Sequence, residues 1–134
     1  MKKIFIAIVV VFVAWSVLDF LIHGLILKSA YDATAEIWRP MEDMNMSLMY
    51  LITLIYAALF VSLYAILVSP KSLATGVKYG AIFGLAAGVS MGFGSYCYIP
   101  IPLHLAWAWF GGTVIKSLIA GIIIGAIVTT PERS

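Results

Sequence analysis

Four long apolar stretches, Ile4 to Leu27, Leu48 to Val68, Val77 to Ile99 and Leu103 to Val128, take up most of this 134-residue chain. Each is at or near the ~20 residues that a helix needs to cross about 30 Å of hydrocarbon. Composition agrees: 63% of the residues are hydrophobic and 10% charged, too much apolar surface for a water-soluble core built from a chain this short. The expected fold is an all-α membrane protein, an antiparallel bundle of four transmembrane helices in a single domain.

The connections refine that picture. Between the first two spans, Asp32-Ala-Thr-Ala-Glu-Ile-Trp-Arg-Pro40 reads as a short helix capped at Asp32 and stopped before Pro40. With Tyr31, Ile37 and Trp38 on one face, it is expected to lie at the outer interface. Ser69-Pro70-Lys71-Ser72 reads as a turn whose lysine stems reach toward headgroups. Two prolines stiffen the third connection, Tyr98 to His104, so spans three and four must be antiparallel neighbours.

Lys2, Lys3, Lys71, Lys78 and Arg133 fall on one side, whereas Lys28 and Arg39 stand on the other among Asp32, Glu36, Glu42 and Asp43. That bias predicts cytoplasmic termini in a multi-pass protein of the bacterial inner membrane. The start, Met1-Lys2-Lys3 before an apolar run, resembles a secretory signal, but the run continues to Leu27 and makes a full span. A formal net charge of +2 gives no reason to expect a nucleic-acid partner.

Glycine recurs every fourth residue in the third span, at Gly76, Gly80, Gly84, Gly88 and Gly92, and Ser117, Gly121 and Gly125 form a matching stripe in the fourth. Glycine costs roughly 1 kcal/mol per helix position relative to alanine, so five on one stripe point to a packing purpose. Small residues let two backbones approach closely in lipid. Packing within the monomer is the plainer reading; a homodimer seam or a docking face for another membrane subunit is the functional one.

Asp19 and His23 share one face of the first span, and Lys116 lies near the middle of the last. Ionisable groups inside a membrane need partners, so all three are site candidates. They suit a proton relay, a cation site or an oriented imidazole ligand, or else a polar cluster that fixes helix register. Depth favours a pair. Asp19 lies roughly 12 Å below an outer boundary at Leu27, and Lys116 roughly 13 to 14 Å below one at Trp107.

Other chemistry is sparser. His23 and His104 come from different spans, but their depths fit poorly with a shared haem. Met41, Met44 and Met46 form a soft-donor run that suits Cu(I), with His104 and Cys97 as further ligands, although flexible methionines also fill irregular interfaces. Tyr96, Tyr98, Trp107, Trp109 and Phe110 read as an aromatic belt. No nucleophile elbow, phosphate loop or His-Glu-x-x-His motif is present. No cofactor and no enzymatic activity are expected.

Leu18-Asp19-Phe-Leu-Ile-His23-Gly24, Trp38-Arg39-Pro40-Met41-Glu42, and Tyr98-Ile-Pro100-Ile-Pro102 leading into Ala106-Trp-Ala-Trp109-Phe110 resemble small bacterial four-span integral membrane proteins of unknown function. The resemblance implies a four-helix bundle and carries no activity. Small multidrug transporters also have four spans and an acidic residue in the first, but the segment from Lys28 to Ser47 and the intramembrane Lys116 depart from their pattern. The expected function is that of a non-enzymatic accessory or assembly subunit that binds another membrane component or a second copy. The alternative is a small oligomeric transporter or ion-coupled carrier with an outward-facing polar cavity.

Overall fold

A computed structural model describes residues 1–130 of the chain, so Arg133, which entered the charge bias above, lies outside the described residues. Helix α1 (Lys2–Asp19) continues without interruption into a π-helical segment, Phe20–Ile26. A short α2 (Lys28–Asp32) and two single 3-10 turns lead to α3 (Met46–Leu67). Helix α4 (Leu73–Gly88) also runs on as a π-helix, Val89–Gly94, and α5 (Leu103–Ile127) closes the fold. Four helical runs, Lys2–Ile26, Met46–Leu67, Leu73–Gly94 and Leu103–Ile127, are long and apolar enough to span a membrane. The chain is an all-α, multi-pass membrane protein.

The third span runs from Leu73 to Gly94 where the sequence pattern predicts Val77 to Ile99. Its early start has a local cause, because Ser72 caps the helix: Thr75 N–H donates to Ser72 Oγ at 3.2 Å and Ser72 N–H donates to Thr75 Oγ1 at 2.8 Å. These bonds satisfy donors that a helix start leaves orphaned. The expected interfacial helix from Asp32 is corrected: Asp32 ends α2 and its carboxylate pairs with Lys28 Nζ at 2.9 Å. Thr34 Oγ1 then donates back to the Ala30 carbonyl at 2.9 Å. A threonine bonded to the backbone in this way competes with helix continuation, and before Pro40 only one 3-10 turn, Ala35–Ile37, follows.

Two kinds of seam hold the spans together. Along one face of α4 the glycines meet α5 backbone to backbone: a Cβ placed on Gly76 would lie 2.5 Å from the Gly121 carbonyl oxygen, and one on Gly84 2.9 Å from Ser117 Cβ. Further along, Gly88 and Gly92 face Phe110. The glycine spacing therefore serves contact within one chain. Another face of α4 is kept away from α3 by large rings, with Phe60 packed on Tyr79 and Phe83 at centroid distances of 4.8 and 4.9 Å. Tyr79 Oη donates to the Phe60 carbonyl at 2.7 Å, joining the two helices by a polar contact as well.

With the end of the bundle that carries Met1 called inner and the opposite end outer, the core at the inner end joins Ala7, Val11 and Trp15 of α1, Ala57, Phe60, Val61 and Tyr64 of α3, and Ala120 and Ile124 of α5. A second core forms at the other end from Leu27, Ile101, Leu105 and Ala106, covered by Tyr31, Ile37, Trp38 and Trp109. The segment after α1 folds over the start of α5. Nothing from α3 enters this outer core.

Candidate functional site

Trp15 sets the floor of the polar site. It is buried against Tyr56 and Phe60, and its indole N–H donates to the Lys116 carbonyl at 2.9 Å, locking α1 to α5 at that level. One helical turn farther along α1, Asp19 meets the Lys116 ammonium in a direct ion pair. The same ammonium stands 5.7 Å from the Trp15 ring centroid, a cation–π distance. The lysine and aspartate side chains keep 23% and 31% of their surface exposed, so the pair is shielded but not sealed. Ser16 Oγ, on the same stretch of α1, is buried and has no hydrogen-bond partner among the described residues.

His23 belongs to a different contact set. Its Nδ1 is hydrogen-bonded to the Tyr31 hydroxyl, which also accepts a bond from Trp109 Nε1 at 2.8 Å. The expected cluster of Asp19, His23 and Lys116 therefore divides into an ion pair and, toward the outer end, a His23–Tyr31–Trp109 triad. Tyr31 and Trp109 were legible in sequence only as aromatics. Trp109 instead turns inward and packs on Trp38, which in turn packs on Tyr31.

Burial pushes the Tyr31 phenol above its usual value of 10; the nearby Asp19 charge adds to this, and the bond from Trp109 opposes it. A folded-state value raised in this way means that the contribution of Tyr31 to stability is complete below about pH 10 and fades as the pH rises through the folded value. Replacing Tyr31 with phenylalanine should remove that alkaline dependence and leave the Trp109 indole without its acceptor, costing about 1–3 kcal/mol. Thermal unfolding in detergent at neutral and alkaline pH, with hydrogen exchange over residues 28–43, measures both effects.

The remaining candidates are dispersed. His104 is exposed at the start of α5. Met41, Met44 and Met46 are 74%, 38% and 41% exposed and occupy a 3-10 turn, a connector and the first position of α3. Among the described residues no three His, Cys, Asp or Glu side chains converge in a metal-binding group. Cys97 is a free, exposed thiol.

In the outer half of α3 the apolar side chains stay exposed on every side. Successive residues of an α-helix point about 100° apart, so five in a row sample its whole circumference. Leu48, Met49, Tyr50, Leu51 and Ile52 retain 49, 50, 49, 51 and 56% of their surface. No side of this segment is covered. Within the same helix, Ala57, Phe60, Val61 and Tyr64 are fully buried. The contact between Trp15 and Tyr56 marks the level above which α3 separates from the bundle.

Two clefts open elsewhere on the surface. One, of ≈ 480 Å³, lies along α4 past Lys78, Tyr79 and Phe83, with Val68 at its edge. The other, of ≈ 360 Å³, lies where the start of α1 meets the chain after α5. Neither is lined by Asp19, His23 or Lys116. Comparison with known proteins returns no match, whether to family models, to curated proteins or to solved structures.

Proposed function

We propose that this chain is a non-enzymatic accessory or assembly subunit of the bacterial inner membrane, holding another membrane component against the outer half of α3. The observation that carries the reading is the exposure of Leu48 to Ile52 around the full helix, beside an inner half that is closely packed. Helices associate in lipid through van der Waals contact and hydrogen bonds, not hydrophobic expulsion. A span that forgoes those contacts over its outer turns is suited to make them with a partner. Tyr50 and Thr53 add polar groups to this surface.

Both ends of the described chain lie at one end of the bundle, where Met1 and Lys3 share a cleft with Val128 and Thr130. Lys2, Lys71 and Lys78 belong to the same end, and the basic-residue bias favours the cytoplasm for it. The carrier reading draws on the partial exposure of Asp19 and Lys116. The closed inner core favours the accessory reading instead. Mild detergent extraction followed by native mass spectrometry should give the chain in fixed ratio with a second membrane polypeptide. Isolation as a monomer carrying lipid alone would overturn the accessory reading.

A further inference from the structure

The basic end of the bundle contains a hollow that the packing of the spans leaves open. Thr130 N–H donates to the Lys71 carbonyl at 3.2 Å, and Lys71 N–H donates to Thr130 Oγ1 at 2.9 Å. These two bonds tie the chain that follows α5 to the turn between α3 and α4. A cleft of ≈ 360 Å³ remains between that tie and the start of α1, within the roughly 300–1,000 Å³ typical of small-ligand sites. Lys3 and Lys71 are part of its wall, and Ile4, Ala65 and Val128 supply apolar lining.

Among the described residues neither lysine has a carboxylate partner: the ion pairs are Lys28 with Asp32 and Lys116 with Asp19. Asp32, Glu36, Glu42 and Asp43 belong to the connection at the opposite end, and Glu132 lies outside the described residues. Among the described residues this wall has no anion, and two ammonium groups suit a phosphate. Ile4 and Ala65 lie a residue or two inside their spans, so the apolar lining sits where acyl chains begin.

We infer that this cleft binds the phosphate headgroup of an anionic phospholipid, with Lys3 and Lys71 as its cationic contacts and Ile4, Ala65 and Val128 against the first acyl carbons. A basic pocket between spans at the membrane surface is a known way to hold such a headgroup. A free phosphate would gain nothing from the apolar lining.

The test uses the full chain in detergent, titrated with equimolar phosphatidylglycerol and phosphatidylcholine of matched acyl chains and read by native mass spectrometry. The site predicts a several-fold preference for phosphatidylglycerol. Lys3→Gln and Lys71→Gln should each weaken that lipid about fivefold, from roughly 1 kcal/mol per surface cation. Lys3→Arg with Lys71→Arg should retain it, as should Lys28→Gln at the other end. Equal retention of the two lipids, a preference that survives the double glutamine variant, or competition by inorganic phosphate as effective as the lipid would overturn the proposal.

Discussion

Alanine at Gly80 should destabilise this protein, although it adds one methyl group. A Cβ there would press on the Ser117 carbonyl oxygen and lie 2.9 Å from Gly121 Cα. Both are backbone atoms, which cannot rotate away, so α4 and α5 would have to separate along their seam. Overpacking of this kind costs about 1–3 kcal/mol, and alanine's better helix propensity returns at most about 1. Leucine at Gly84 or Gly88 should cost more and should wedge the pair apart. Gly111 is the control, because a Cβ there meets nothing within 4 Å. Gly111→Ala should be neutral or slightly stabilising. Thermal unfolding of the set in one detergent decides the matter, and equal behaviour of Gly80→Ala and Gly111→Ala would refute the backbone seam.

Removing one partner of the Asp19–Lys116 pair should cost on the order of 3 kcal/mol, the lower end of the range for breaking buried pairs, since both side chains keep some exposure. Asp19→Asn leaves the ammonium facing a neutral amide, with the Trp15 ring beside it. Lys116→Met leaves a carboxylate beside apolar surface. The double variant should recover part of the loss, because replacing both charges leaves neither stranded. A double-mutant cycle in detergent or lipid measures the coupling directly. Additive losses would show that the two groups act independently, despite their contact.

Glycine spacing and depth are the features that sequence conveys well, for physical reasons. A residue type that appears every fourth position occupies one helix stripe, and 1.5 Å per residue turns a count from the boundary into a depth. So the α4–α5 seam and the level shared by Asp19 and Lys116 are both legible in the order of residues alone. The π-helical segments after Asp19 and Gly88 are not, because the choice between an i−4 and an i−5 acceptor depends on tertiary packing, not on local propensity. That widening also helps explain why His23 stands apart from the expected cluster and joins Tyr31. The bond from Trp109 to Tyr31 spans 78 positions, and no local pattern encodes it. Nor does hydropathy reveal the open half of α3, since an apolar side chain reads alike whether it faces lipid, a neighbouring span or a partner.

That open half is the feature on which the proposed role depends, and photo-cross-linking in native membranes probes it at single positions. A benzophenone side chain placed at Leu51 or Ile55 reports what lies against the outer half of α3. The same group at Ile66, 77% exposed on the inner half of the helix, reports the background from lipid and random encounter. The account predicts one discrete cross-linked polypeptide from Leu51 and Ile55 and none from Ile66. The same monomer-only pattern from all three positions would contradict it.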